Sequence, residues 1–312
     1  MGAPDEACLS AMLPGMAAKP SIAIVGAGNL ALALALSLRQ VGYRIDEVIA
    51  RDRSSRKAKD LARNAGARVA VISDTSLRAT VVWFCVPDGE IAQAARSLAT
   101  NTEWKNKIAL HSSGALSSDE LDSVRRRGAA VASVHPLMTF VRGEVAGKSK
   151  ARSGESRAAL AGVPFATEGD AAAVKVAQRI VKDLGGIAYA IRKEDKAAYH
   201  AWGTFASPLL TALLATTERV AGLAGVNPKD ARRRMIPILL QTLMNYAAFD
   251  AAGAYSGPIV RGDVDTVKRH LEVLRREPVA RDVYLALARA AIKYLPAKNK
   301  SRLKKLLQSA GK

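Results

Sequence analysis

The chain has four histidines, at 111, 135, 200 and 270; His111 and His135 fall where function would put them, and His200 lies on a helix start that could reach the domain cleft. His111 follows the apolar run Lys107–Leu110 and opens His111-Ser112-Ser113-Gly114. His135 follows Ala129–Val134 and heads His135-Pro136-Leu137. His200 ends Lys196-Ala197-Ala198-Tyr199-His200, in the first turns of a long helical pattern. Imidazole titrates near neutrality and so can give or take a proton beside a reacting carbon. His200 is the candidate general acid/base, Tyr199 and Ser113 are its polar neighbours, and His135 is a candidate substrate contact. Each histidine also has a plain reading, a hydrogen bond that closes a strand or helix end. A three-histidine metal site would want orienting carboxylates, which are not evident, so no metal is expected. Arg261, between small residues in Ser256-Gly257-Pro258-Ile259-Val260-Arg261-Gly262-Asp263, suits bidentate capture of a substrate carboxylate. The same stretch also reads as a helix connection with Asp263 as N-cap.

A second group of residues concerns phosphates. Ser21–Val25 is a short buried-strand pattern that runs into Gly26-Ala27-Gly28-Asn29-Leu30-Ala31, followed by the helical run Leu32–Gln40. Gly26 can take the tight turn, Gly28 lets backbone approach a pyrophosphate, and Ala31 lets the helix pack close to the strand. The helix start offers free N–H groups and a partial positive charge. Gly26, Gly28, Asn29 and Leu30 are therefore expected at a bound dinucleotide. The second strand ends in Ala50-Arg51-Asp52-Arg53-Ser54-Ser55-Arg56. Arg51, Arg53 and Ser54 can hold a 2′-phosphate, and one such charge-assisted contact, about 1.5–3 kcal/mol, favours NADPH by roughly tenfold to a hundredfold. The cofactor expected is NADP(H), with Asp52 as the contrary sign because it could serve a 2′-hydroxyl. Val86 and Pro87 end the fourth strand and, with His111, should lie against the cofactor at the carboxyl edge of the sheet.

The elements that must position these groups alternate. Strand patterns at Ser21–Val25, Ile45–Ala50, Arg68–Val71, Val81–Val86, Lys107–Leu110 and Ala129–Val134 are separated by helical patterns such as Ser54–Asn64 and Glu90–Ala99. That spacing means βαβ units and a parallel sheet, an α/β Rossmann domain. Residues 142–157 read as a polar, basic, mobile loop, after which Val163–Ala166, a helix over Ala171–Leu184, and Ile187–Ile191 add one more layer. After Arg192 only helical patterns follow: Lys196–Ala224, Pro228–Ala252, Asp263–Leu274 and Ala280–Tyr294. The expected organisation is a loose tail over 1–20, a dinucleotide-binding domain over 21–191, an all-α domain over 192–296 and a basic tail over 297–312.

Composition narrows the classes. Hydrophobic residues are 49% and charged residues 24% of 312, which fits a folded chain of two domains. Two cysteines, Cys8 and Cys85, build neither a disulfide framework nor a zinc set and fit a reducing cytoplasm. No apolar stretch reaches membrane-spanning length. The net charge of +19 raises the question of nucleic acid. The charge is spread along the chain with little aromatic interleaving, apart from Lys298–Lys312 with five Lys, one Arg and no acid, so no nucleic-acid partner is expected.

Taken together, GAGNLA, the arginine cluster, VPDGEI, HSSGAL, SVHPLMTF, YHAWGTFAS and GPIVRGD resemble the Rossmann-like, DUF2520-containing proteins over about residues 21–295. These are NADP-dependent oxidoreductases by expectation, distantly similar to pyrroline-5-carboxylate reductases and 6-phosphogluconate dehydrogenases. The resemblance implies a Rossmann domain followed by a helical domain of the 6-phosphogluconate dehydrogenase C-terminal type, and a homodimer through those helices. The broader group's hydroxyacid dehydrogenases carry a lysine and an asparagine four residues apart on the interdomain helix. Here Lys196 is followed by His200 at that spacing, so their mechanism is not carried over, and Trp202 stands where a small residue is expected. The function expected is NADP(H)-dependent oxidation or reduction of a small, acidic substrate lying between nicotinamide and the helical domain. The alternative is a non-catalytic NADP(H) sensor.

Overall fold

The computed structural model describes residues 19–141 and 160–311; the expected loop over 142–157 and most of the expected N-terminal tail lie outside the described residues. The chain divides into two compact units, Met1–Gly203 and Thr204–Lys312. The division falls inside the helix that the sequence reading gave wholly to the second domain, because the first turns of that helix bury Lys196 and Tyr199 in the first unit.

The first unit is built on one eight-stranded sheet: β1 (Ile22–Val25), β2 (Ile45–Ala50), β3 (Arg68–Val71), β4 (Val81–Phe84), β5 (Ile108–His111), β6 (Ala130–Pro136), β7 (Pro164–Gly169) and β8 (Ile187–Ala190), in the order β3-β2-β1-β4-β5-β6-β7-β8. β1 to β6 are parallel to one another. The sheet is mostly parallel, as expected; beyond β6, β7 pairs with β6 antiparallel and carries β8 parallel to itself. A run such as IAIV cannot reveal this, because a strand covered on both faces is apolar whichever way it points.

Helices α1 (Asn29–Gln40), α2 (Arg56–Ala65), α3 (Asp88–Asn101), α4 (Asp122–Arg125) and α5 (Ala171–Asp183) cover the two faces. Side chains alternate across a strand. Ile22 and Ile24 of β1 join Leu34 and Leu61 in one core, while Ala23 and Val25 join Ile91 and Leu98 in the other. All four residues of β1 and of β4 are buried. β1 and β4 flank the point where the strand order reverses, so the loops after Val25 and Phe84 open a crevice at the carboxyl edge.

The first unit ends in α6 (Lys196–Ala206), and the second unit contains α7 (Pro208–Leu223), α8 (Pro228–Ala254), α9 (Pro258–Arg261), α10 (Val264–Val273), α11 (Pro278–Tyr294) and α12 (Lys300–Ser309). The single long helix expected from Lys196 is broken at Ser207 (φ −129°, ψ −77°). Pro208 disfavours helical backbone in the residue before it while its own fixed φ suits a first helical turn. The core of this unit is small: Val267, Leu271, Leu285, Ala288, Ile292, Leu303 and Leu307. Leu303 and Leu307 make residues 300–309 a packed helix rather than the expected basic tail. Among the described residues no single helix is long and apolar enough to cross a membrane.

Candidate functional site

The glycine loop forms as its sequence suggests. Gly26 has φ +106°, and a Cβ there would lie 2.5 Å from the Cys85 carbonyl oxygen, so β1 and the end of β4 close on each other only with glycine between them. At Gly28 a Cβ would meet nothing within 4 Å. Gly28 is the N-cap of α1, makes no side-chain cap, and the first helical turn carries no acidic residue. The result is an uncapped helix start facing open space, the geometry that accepts a phosphate. Gly26 and Gly28 line a cleft of about 770 Å³ together with Arg51, Asp52, Val86 and Pro87. Asn29 is drawn aside, its Nδ2 donating to the Phe140 carbonyl (3.1 Å), and lines an adjoining groove of about 520 Å³. Leu30 is half-buried and lines neither space.

The arginine cluster is engaged within the protein. Arg51 lines the cleft and is ion-paired with Glu90. Arg53 is ion-paired with Asp74, and Ser54 donates from its backbone N–H to Asp52 (2.8 Å) and also from its hydroxyl. These hydrogen bonds hold the Asp52 carboxyl below its ordinary range. The sequence reading missed Lys57. It lies in the first turn of α2, lines both the cleft and the adjoining groove, and has no ion-pair partner among the described residues. Its signal was legible as Ser55-Arg56-Lys57, an N-cap followed by two cations at a helix start without acids.

Around Gly114 a second group converges, wholly within the first unit. A Cβ on Gly114 would lie 2.7 Å from His200 Cδ2 and 2.9 Å from His135 Nε2, so only the absence of a side chain lets both rings pack against this backbone. His135 and His200 have ring centroids 6.2 Å apart, nearly perpendicular. His135 Nδ1 is 2.8 Å from the Tyr199 hydroxyl. Burial, helped by the nearby charges of Lys196 and His200, brings His135 down to about 4, and burial raises the Tyr199 phenol. Ser113 donates its hydroxyl to Asp88 (2.9 Å), while the same oxygen accepts from the backbone of Leu116 (2.9 Å).

Lys196 is the group the sequence reading passed over for lack of a partner asparagine. It is 1% exposed, and its Nζ donates to the Ser113 carbonyl (3.1 Å) and to Ser133 Oγ (2.6 Å). Burial brings it down to about 8. A signal was present: Lys196, Tyr199 and Gly203 share one helical face at i, i+3 and i+7, so Lys196 had to point the same way as Tyr199.

His111 does not fit its expected role at the cofactor. It is fully buried, the Ser113 N–H donates to its Nδ1 (3.1 Å), and Nε2 therefore carries the proton toward the Ser117 carbonyl (3.0 Å). Both nitrogens are occupied in shaping the turn after β5, and burial brings the ring down to about 4. Arg261 belongs to the second unit, where it ends α9 and is exposed. The surrounding motif has a structural use. Asp263 caps α10 by accepting from Thr266 N–H (3.0 Å), and a Cβ on Gly262 would lie 2.7 Å from the Lys298 backbone.

Residues 2–136 match the family of Rossmann-like domains, and residues 163–291 match a domain of unknown function, DUF2520. No curated protein matches the chain. Among solved structures, a Bacteroides fragilis protein provisionally described as an NADP oxidoreductase has a TM-score of 0.69 at 20% identity, over 87% of this chain and 97% of its own. A protein from Thermotoga maritima has a TM-score of 0.64 at 22% identity, over 93% and 100%. An imine reductase from Myxococcus stipitatus, solved with NADP+, has a TM-score of 0.60 at 17% identity, over 92% and 100%. At such identities the likeness is one of fold. The chain joins a Rossmann-like domain to a DUF2520 domain in one polypeptide.

Proposed function

We propose that the chain is an NADP(H)-dependent oxidoreductase acting on a small, acidic substrate. The observation that carries the reading is the open, uncapped start of α1 at Gly28, on a cleft with cations at its rim. The residues present fit the cofactor. The backbone from Gly26 to Leu30 would hold the pyrophosphate, Lys57 and Arg51 the 2′-phosphate, and Val86-Pro87 would flank the chain toward the nicotinamide. When bound, NADPH supplies the hydride. The fold shared with an imine reductase that binds NADP+ supports the cofactor assignment but does not choose a substrate.

His200 is the general acid/base in this reading, with its ring packed against Gly114 and 6.2 Å from the His135 ring. Lys196 positions the turn after β5 by donating to the Ser113 carbonyl and to Ser133. Arg261, in the second unit, is suited by its chemistry to an acidic group. His200→Ala should then lower turnover about 10²- to 10⁴-fold with cofactor affinity unchanged. Full activity in that variant would remove His200 from the mechanism.

The functional form in this reading is a homodimer. In α8 only Ala231 is buried, while Ile238, Met244 and Phe249 are each more than 60% exposed. A monomer rarely leaves so large an apolar surface open.

The direct test is titration with NADPH and with NADH, followed by nicotinamide fluorescence at matched salt. Preference for NADPH, weakened by Lys57→Ala or Arg51→Ala, is the expected result. Binding of neither nucleotide would end the proposal.

A further inference from the structure

We propose that Glu90 limits how strongly the cleft prefers NADPH over NADH: its carboxylate holds Arg51, and a 2′-phosphate has to displace that carboxylate to gain the arginine. This rests on the oxidoreductase reading and deepens its cofactor choice by naming a residue that works against the phosphate.

The first ground is which cations reach the cleft. The stretch after β2 carries Arg51, Arg53, Arg56 and Lys57. Arg53 lines neither the cleft nor the adjoining groove and is turned to Asp74, which also accepts the Val71 N–H (2.9 Å). Arg56 lines the groove and not the cleft. Arg51 and Lys57 are the cations that line the cleft of about 770 Å³.

The second ground is which acids meet them there. Asp52 and Glu90 are the carboxylates of the cleft lining. Asp52 is spent on Ser54, accepting its backbone N–H (2.8 Å) and its hydroxyl. Glu90, in the first turn of α3, is ion-paired with Arg51. β2 and β4 stand on either side of β1, so this pair joins the loop after one flanking strand to the helix after the other. Both partners line the same cleft as the glycine turn that follows β1.

The third ground is the balance of charge. The Arg51 side chain is 76% exposed, so water competes for the pair and it is weak. A phosphate monoester carries about two negative charges at neutral pH, against one for a carboxylate, and its bonds to arginine are charge-assisted. A 2′-phosphate can therefore take Arg51 from Glu90. It does so at the cost of the existing pair and beside a carboxylate that repels it. NADH has no 2′-phosphate and contests nothing. The charge on Glu90 thus penalises NADPH selectively. A carboxylate that served only to aim Arg51 at the phosphate would have the opposite effect, so the sign of the change decides between the two roles.

The test uses the full-length chain, titrated with NADPH and with NADH at matched salt and followed by nicotinamide fluorescence. Glu90→Gln keeps the size and one carbonyl acceptor and removes the charge. It is expected to tighten NADPH about twofold to fivefold, the worth of an exposed ion pair, and to leave NADH unchanged. The same gain is expected for 2′,5′-ADP and not for 5′-AMP, which isolates the 2′-phosphate from the nicotinamide end. In an Arg51→Ala background the gain should be smaller. Weaker NADPH binding in Glu90→Gln, an equal change for both nucleotides, or an undiminished gain without Arg51 overturns the competition and leaves the cofactor reading standing. Binding of neither nucleotide by the wild-type chain removes both.

Discussion

The sheet unit and the helical unit handle apolar surface in opposite ways. In Met1–Gly203 the sheet is covered on both faces, and the strands at its centre are buried along their whole length. In Thr204–Lys312 a core of seven buried residues is gathered by the last helices, while α7 has no buried residue and α8 has one. Ile236, Leu240 and Leu243 follow helical spacing on α8, and all are exposed. The first unit is completed by its own residues. The second leaves large apolar side chains exposed on α8, and a second copy of the chain is the occupant proposed above.

That contrast can be probed most strongly with acid. His111 and His135 are both brought to about 4 from an ordinary 6.5, and both lie in the first unit. The unfolded chain therefore binds more protons than the folded one between pH 6.5 and 4. Stability is full above 6.5 and is lost as pH falls toward 4, on the order of 3 kcal/mol for each ring. Urea midpoints read from the fluorescence of the buried Trp83 and Trp104 should fall across that window. A flat midpoint between pH 7 and 4.5 would show that the rings are not held neutral.

A pair of glycine substitutions sharpens the picture inside the first unit. Gly26→Ala meets the Cys85 carbonyl and a positive φ, and should cost roughly 3 kcal/mol in denaturant unfolding. Gly28→Ala meets open space and should change stability by less than about 1 kcal/mol while weakening NADPH binding. Equal effects of the two on stability would contradict the loop geometry.

Two leucines compare the regions directly. Leu271, 4% exposed in the small helical core, should cost about 2–4 kcal/mol on change to Ala. Leu243, 56% exposed, should cost the folded chain little on the same change and weaken self-association in sedimentation equilibrium. If Leu243→Ala leaves association untouched, the open face of α8 is not the dimer surface. The smallest expected effect is that of Lys57→Ala, a loss of about tenfold in preference for NADPH over NADH.

Much of the first unit was legible because its signals are local. The glycine spacing after SIAIV, the apolar run VVWFCV, and Pro87 at a helix start each depend on a few neighbouring residues. The helical unit was legible in outline from its helical patterns, of which Pro228–Ala252 begins at the observed helix start; Pro208, Pro258 and Pro278 also open helices but were not read as starts. The break at Ser207 was missed because an apolar periodic pattern outweighed the effect of Pro208 on the residue before it. The arginines after β2 were recognised by type, but not where they would spend their charge. Arg53 pairs with Asp74, and Arg51 with Glu90 on a helix that follows a different strand.

The sequence by itself determined the alternation of strands and helices, the glycine turn, the helix start without acids and the presence of histidines at strand ends. These follow from backbone preference and from patterns a few residues long. Only the tertiary structure decided that His111 is consumed by its own turn, that Lys196 is buried beneath Ser113 and Ser133, and that His135, Tyr199 and His200 meet around Gly114. Each of those outcomes depends on desolvation and on partners as far as 83 residues apart in the chain, which no local pattern encodes.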